Sequence, residues 1–352
     1  MKIVVLSGGL STERHVSLVS GTCACRALRE KGHRAILVDM FLGLEKYEGR
    51  LEDIFDAPDG LCGDVRIETT EPDLEAVRRS RADKSPSLLG KDVLTVCAMA
   101  DVVFLALHGA CGEDGRIQAA LDLLGVPYTG SGYVPSGMAM DKSMAKRMMD
   151  VQGIRTAPWR DVRYTEADIP RLVEELEVPC AVKIVNGGSS IGIELPDTKG
   201  ELERALRSVL RYGSHVVVER KIRGRELTVA VLEDRYLPAV EIVPHAEYFN
   251  YETKYQSGGA TEICPAPITD EQWREMGEMA LRLHRTLGLS VYSRTDFLLD
   301  ENGLAWCLEI NTLPGMTPTS LVPQEAAAVG ISYADLCELI VTQSLKARKA
   351  GY

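Results

Sequence analysis

The sequence predicts an open, mostly parallel α/β domain followed by α+β subdomains packed around a cleft. Three observations carry this expectation. Residues 1–40 read as a β-α-β unit, the texture changes near residue 134 to short strands alternating with helices, and residues 293–312 read as a hairpin with one charged face.

Ile3 to Leu6 is a short apolar strand, Ser7-Gly8-Gly9 a turn, and Glu13 to about Glu30 a helix that stops at Gly32. Ala35 to Val38 is the next strand, and a charge-rich stretch from about 43 to 92 reads as variable connections. "DVVFLAL" (101–107) is a buried strand, "HGACGEDG" the loop after it, and Ile117 to Leu124 a helix with Gly125 as its stop. Ligands of such an open sheet sit beyond the carboxyl ends of its strands. A helix then runs through "MDKSMAKRMMDVQG", and the strands "CAVKIV", "IGIEL", "HVVVER", "ELTVAVL" and "AVEIV" follow. Residues 244–262, "PHAEYFNYETKYQSGGATE", are polar and aromatic with little period, which predicts a long functional loop that closes as a lid. A helix at about 270–288 precedes the hairpin, and a last helix begins near Tyr333. The expected divisions are 1–133, 134–224 and 225–352.

Composition narrows the function classes. The 352 residues are 45% hydrophobic and 26% charged, as in a soluble globular protein of two or three domains. A net charge of −11 argues against a nucleic-acid partner, so any anion site must be built locally. Nine cysteines without a CxxC pair favour a reducing cytoplasm over a disulfide framework or a zinc site. The apolar run in "MKIVVLSGGLSTER" is far too short for a signal peptide or a membrane span.

The hairpin "SRTDFLLDENGLAWCLEINT" raises a chemical question. If Asn302-Gly303 is a two-residue turn, Leu304 pairs with Glu301, Asp296 stands opposite Glu309, and Arg294 stands opposite Asn311. Those four side chains share one face, while Thr295, Phe297, Leu299, Trp306, Leu308 and Ile310 form a core face. Facing like charges destabilise a sheet, so removing either carboxylate is expected, if anything, to stabilise the protein. A cation would explain the arrangement. Two carboxylates and the Asn311 amide oxygen are the hard, all-oxygen set that Mg²⁺ accepts, with phosphate oxygens completing its shell. No His or Cys joins them, which disfavours zinc. The plain alternative pairs Asp296 with Arg294 and leaves Glu309 solvated at a sheet edge.

Phosphate would need a site of its own. "KIVNGGSSIG" (183–192) is a Gly/Ser-rich loop whose backbone N–H groups can approach an anion, with Lys183 beside it. It lacks the G-K-[S/T] of a Walker A motif, and "SGGLSTE" does not match GxGxxG, so a dinucleotide-binding oxidoreductase is poorly supported.

In order along the chain, "GGLSTERHVSLVSG", "HGACGEDGRIQ", "VPYTGSG", "MDK", "VKIVNGGSSIGI", "YFNYETKY", "SRTDFLLD" and "EINTLPGMTPTSLVP" resemble the motifs of D-alanine–D-alanine ligases of the ATP-grasp superfamily. The resemblance implies a pre-ATP-grasp α/β domain followed by a two-lobed α+β ATP-grasp module, with ATP between the lobes. It implies Asp296, Glu309 and Asn311 as ligands of two Mg²⁺ ions (Mn²⁺ as a substitute). ATP would be bound by Lys142, Lys183, Gly188, Ser189, Ser190, Glu219, Glu226 and Lys254. Glu13, His108, Gly315, Ser320 and Leu321 would bind the two D-alanines, and Glu13, Ser189, Arg294, Tyr255 and Ser320 would serve catalysis. A cytoplasmic homodimer making D-alanyl-D-alanine for peptidoglycan is implied too. Departures from the usual motifs are Ile184 for proline, Ser293 for glycine, and Tyr248-Phe249-Asn250-Tyr251 in the long loop. A D-alanine–D-serine or D-alanine–D-lactate ligase, or a silent nucleotide-binding relative, are the alternatives.

Overall fold

A computed structural model of the chain describes residues 1–63, 72–187, 192–245 and 259–349. The first strand, β1 (Lys2–Ser7), has no polar alternation because both its faces are covered, and Ile3 to Leu6 are fully buried. Helix α1 (Arg14–Glu30) crosses to β2 (Arg34–Asp39). The poorly patterned stretch contributes α2 (Leu74–Ser80), and α3 (Val93–Ala98) then leads to β3 (Val102–Leu105). The three strands are parallel in the order β2-β1-β3, so their carboxyl ends share one edge.

Helix α4 (Arg116–Leu123) follows, and Gly125 takes the left-handed turn after it with φ +67. The helix expected over "MDKSMAKRMMDVQG" is α6 (Lys142–Val151), and a helix the sequence reading did not foresee, α5 (Tyr133–Met140), runs directly into it. Asp141 breaks the run, its backbone extended and its carboxylate accepting the Met144 N–H as the cap of α6.

A smaller antiparallel sheet comes next. Its elements are β4 (Trp159–Arg163), α7 (Ile169–Glu175), β5 (Cys180–Ile184), β6 (Ile193–Glu194), α8 (Lys199–Val209) and β7 (His215–Arg220). The order is β4-β7-β5-β6. Cys180, Val182, Ile184, Val216 and Val218 bury one face against Leu172 of α7 and Leu202 and Leu206 of α8. The other face therefore carries Lys183 and Glu219.

The larger sheet is built from β8 (Arg225–Leu232), β9 (Arg235–Tyr236), β10 (Val240–Pro244), β11 (Ala260–Ile263), β12 (Tyr292–Leu299) and β13 (Ala305–Asn311). Its order is β11-β10-β8-β12-β13, with β9 paired to β8. Helix α9 (Asp270–Thr286) covers one face through Met276, Ala280 and Leu283, against Leu227, Val229, Phe297 and Ile310. Ala139, Ala145 and Met149 of α5 and α6 join this same core, although they precede the smaller sheet in the chain. Helices α10 (Leu321–Ala328) and α11 (Tyr333–Lys349) return to the first domain, where Val322, Ala326, Leu336 and Ile340 complete its core.

Residues 260–262 of the expected 244–262 loop belong to strand β11, because they pair with the edge of β10, and Pro244 at its start belongs to β10 itself. The centre of that loop, 246–258, lies outside the described residues.

Candidate active site

The β12–β13 hairpin brings Asp296 opposite Glu309 and Arg294 opposite Asn311, as the sequence predicts, but by a different route. The turn is one residue longer than expected: Glu301-Asn302-Gly303 link Asp300 to Leu304, and the Gly303 N–H donates to the Asp300 carbonyl. Gly303 takes φ +76, where a side chain would be strained. A bulge at Leu308 then restores the register, with Phe297 pairing Cys307 rather than Leu308. One consequence corrects the expected core face. Thr295, Phe297, Leu299 and Ile310 do face inward, but Cys307 and Ala305 take the places given to Leu308 and Trp306. Trp306 instead lies half-buried, its Nε1 donating to Asp300 at 2.9 Å and the Arg220 guanidinium 5.3 Å from its ring centre.

On the polar face Arg294 grips Asp296 through two parallel bonds, at 2.7 and 2.8 Å, and Asn311 Nδ2 donates to Asp296 at 3.1 Å. This is the pairing the sequence allowed as the alternative to a cation. Burial opposes the Arg294 charge, but Asp296, Glu309 and Glu325 overcome it and push its pKa above the ordinary value. Glu309 is not simply solvated, for Lys142 Nζ stands 3.2 Å from it. Behind the hairpin, Ser293 Oγ meets His284 Nδ1 at 2.7 Å, a contact that a glycine at 293 could not make.

Lys142 also donates to the Gly187 carbonyl at 2.7 Å, tying the start of α6 to both the hairpin and the glycine-rich loop. On the smaller sheet, Lys183 is ion-paired with Glu219, and Lys146 of α6 holds the same carboxylate from the other side at 2.5 Å. Burial works against these charges. Even so, Lys183 keeps Glu219 below its ordinary pKa and Glu219 raises that of Lys183. Lys146, fully buried and also bonded to Thr156 at 2.7 Å, was missed by sequence reasoning; its spacing of four from Lys142 on a helix was the available signal. Glu226 lies on the hairpin side of the larger sheet, opposite Leu298 of β12.

The first domain closes the site from its strand ends. Glu13 precedes α1 and is buried against Gly109, where an added Cβ would stand 2.8 Å from Glu13 Oε2. His108 is fully enclosed between the Leu313 carbonyl, 2.9 Å from Nδ1, and Ser20 Oγ, 3.0 Å from Nε2. A carbonyl only accepts, so Nδ1 carries the proton and Nε2 accepts from Ser20. Burial lowers the His108 pKa despite the nearby Glu13 charge, which keeps the ring neutral. Glu113, a second residue missed from sequence, accepts the Gly109 N–H at 2.7 Å and the Leu313 N–H at 3.2 Å. Glu113 and His108 thus hold the N–H and the carbonyl of Leu313, just beyond Asn311. Gly315 lies against Ser320, whose Oγ would be 3.0 Å from a Cβ there and accepts the Thr317 N–H at 3.0 Å. Leu321 opens α10 directly after Ser320. Gly188, Ser189, Ser190, Lys254 and Tyr255 lie outside the described residues.

Comparison with known proteins bears on the same architecture. The family described as "D-ala D-ala ligase N-terminus" matches residues 2–131, and "D-ala D-ala ligase C-terminus" matches residues 148–342. The D-alanine–D-alanine ligase of Pediococcus pentosaceus is 43% identical over 343 residues, covering 97% of each chain. That of Geobacter sulfurreducens is 38% identical, covering 99% of this chain and 96% of its own. The chain belongs to the D-alanine–D-alanine ligase family. Among solved structures, the Bacillus anthracis D-alanine–D-alanine ligase superposes with a TM-score of 0.73 at 29% identity, over 100% of both chains. The same ligase complexed with ATP gives a TM-score of 0.72 at 28% identity.

The hairpin face fits the divalent metal expected of a D-alanine–D-alanine ligase, within limits set by its own donors. Asp296, Glu309 and the Asn311 amide are oxygen donors, but no group of three or more His, Cys, Asp or Glu that could hold a metal occurs among the described residues. Such a partial set suits an ion that shares its shell with phosphate rather than one caged by protein alone.

Proposed function

We propose that the chain is an ADP-forming ligase that joins two D-alanines into D-alanyl-D-alanine for peptidoglycan synthesis. The observation that carries the reading is the meeting of three separate elements. The hairpin brings Arg294, Asp296 and Glu309, α6 brings Lys142, and the first domain brings His108 and Glu113 to Leu313 in the segment that follows the hairpin, with Glu13 packed against Gly109.

The residues then have distinct tasks. Lys142, Lys183 and the loop residues Gly188, Ser189 and Ser190 bind the phosphates of ATP, with Lys254 reaching the transferred one. Glu219 and Glu226 take the nucleoside. Asp296, Glu309 and Asn311 hold two Mg²⁺ ions, which would neutralise phosphate charge. A carboxylate oxygen of the first D-alanine attacks the γ-phosphorus, ADP leaves, and an acyl phosphate forms. The amine of the second D-alanine, having lost a proton, attacks the acyl carbon, and inorganic phosphate leaves as its C–O bond breaks. Arg294, fixed in orientation by its two bonds to Asp296, places positive charge where the oxyanion develops, with the Gly315 N–H beside it. Glu13 and His108 face the first D-alanine, and Ser320 and Leu321 the second.

The three divisions at 1–133, 134–224 and 225–352 are proposed as functional units, with α5 and α6 serving as the bridge between the last two. A cytoplasmic homodimer is proposed as well. The nine free thiols suit a reducing compartment, no helix among the described residues is long and apolar enough to cross a membrane, and light scattering tests the assembly. The deciding assay for the reaction is ATP-dependent phosphate release with D-alanine, D-serine and D-lactate offered singly and in pairs, with products identified by mass. D-alanyl-D-alanine is the expected main product. A dominant ester product would move the reading to a D-alanine–D-lactate ligase.

A further inference from the structure

One fully buried carboxylate on the active face has no task in the reaction as described. Glu325 lies in the second turn of α10, five residues after Ser320, and none of its surface is exposed. Its two oxygens do not point to a cation. Oε2 accepts the backbone N–H of Ala230 at 2.5 Å, and Oε1 accepts from Thr228 Oγ1 at 3.1 Å.

The sheet explains why a carboxyl is needed there. The β8–β10 ladder reaches only Thr228, which pairs with Val240. Beyond it the chain runs through Ala239 and Pro238 to Leu237, whose N–H takes the Ala230 carbonyl at 2.8 Å. The Ala230 N–H is left inside the protein, and a buried donor without an acceptor costs about 1–3 kcal/mol. Glu325 fills that gap in the ladder from a helix lying over the sheet.

The two residues it grips are opposite the chemistry. Ala230 pairs across the strands with Arg294, and Thr228 pairs with Asp296. Directly paired residues share a face, so the carboxyl joins α10 to the sheet at the register of the catalytic arginine and the first metal ligand. Burial pushes the Glu325 pKa well above the ordinary carboxyl value, with Arg294 acting against the shift and Asp296 with it. A neutral Gln could therefore replace it and still accept the Ala230 N–H. Simple packing would have been met by Leu or Met.

We propose that Glu325 is a positioning residue for the second amino-acid subsite, holding the start of α10, with Ser320 and Leu321, at a fixed place relative to Arg294. This rests on the ligase reading above.

The test measures phosphate release against D-alanine at saturating ATP, with a separate KM for each amino-acid subsite, in purified full-length variants. Glu325→Leu keeps the volume and deletes both acceptors. It is expected to raise the KM of the second subsite about tenfold, while the KM values for ATP and the first D-alanine change by less than about twofold. Glu325→Gln should restore the second KM to within about twofold of wild type. A role in stability alone would lower Tm and the active fraction and leave every KM in place. Should Glu325→Leu not fold, Thr228→Val removes one of the two contacts at nearly constant shape and should raise the same KM about threefold. An unchanged second KM in folded Glu325→Leu, or in Thr228→Val where it must stand in, overturns the role. So does a Glu325→Gln variant as impaired as Glu325→Leu. Wild-type protein that makes no dipeptide would overturn the ligase reading itself, which the same assay reports separately.

Discussion

Asp296 and Glu309 face each other, yet each has a cation of its own, and this changes what their removal does. The sequence predicts relief of repulsion. In the structure Asp296 shields the enclosed Arg294 guanidinium, while Glu309, whose side chain is 34% exposed, is paired with Lys142. Asp296→Asn keeps one acceptor but strips a buried cation of its counter-charge, so we expect destabilisation of about 1–3 kcal/mol together with a severe loss of ATP turnover. Glu309→Gln should change stability by less than about 1 kcal/mol and lose turnover just as severely. Urea melts and phosphate release check both, and an Asp296→Asn variant more stable than wild type would revive the repulsion account. Glu113 supplies a pH prediction. Burial, and then repulsion from Glu13, push its pKa from 4.5 up to about 8, against the N–H groups of Gly109 and Leu313. In the window between those values the folded state holds a proton that the unfolded state has lost. The contribution of Glu113 to stability therefore declines as pH rises through the window and levels off above it. Glu113→Gln cannot ionise, so its Tm should gain on wild type between about pH 5 and about pH 8. A Tm difference that does not move with pH would show that Glu113 is charged in the fold.

The hairpin shows how an element can be read correctly for an incomplete reason. Counting from a two-residue turn pairs Asp296 with Glu309, and the real hairpin arrives at the same pairing because a longer turn and a bulge at Leu308 offset each other. Past the bulge the faces invert, so Trp306 leaves the core and Cys307 enters it. Alternation in sequence cannot reveal such an insertion, because Leu308 and Cys307 are both apolar. The strand face also grades along its length. Leu232 and Tyr292 join the core of the first domain, Ala230 and Thr228 sit beside Arg294 and Asp296, and Glu226 and Leu298 follow. Gly303 tests the turn apart from the chemistry. Gly303→Ala forces a side chain into the left-handed region and should cost about 1–2 kcal/mol of stability, leaving the KM for ATP unchanged. A variant as stable as wild type would mean that the turn relaxes to another geometry.

At the scale of the molecule, the described residues form three large hydrophobic cores and a small fourth cluster of Val240, Ile242 and Leu321 around one polar region. Contacts at that region already link the parts: Lys142 to Gly187 and Glu309, Lys146 to Glu219, and His108 and Glu113 to Leu313. A nucleotide bound there should stabilise the whole, by about 2.7 kcal/mol at a hundredfold excess over Kd. We expect ATP with Mg²⁺ to raise Tm, and Asp296→Asn to abolish the part of that rise which depends on the metal. A rise of equal size without Mg²⁺ in both proteins would place the metal elsewhere.

The sequence by itself determined the elements with strong periodicity and the identity of the family. Ile3–Leu6, "HVVVER" and "ELTVAVL" are strands because their apolar runs must be covered, and eight motifs in order place the chain among D-alanine–D-alanine ligases. Local pattern also marked Asp296 and Glu309, since charge on a buried strand has few local explanations, whereas Lys142 was marked only by the family motifs. What only the tertiary structure decided are the partners of those charges. That α5 and α6 complete the core of a sheet formed later in the chain, that Lys146 shares Glu219 with Lys183, and that Glu113 and Glu325 satisfy backbone N–H groups of distant segments depends on contacts between residues far apart in sequence. The physical reason is that a buried donor or charge must find an acceptor or counter-charge wherever packing brings one, and packing is a property of the whole chain.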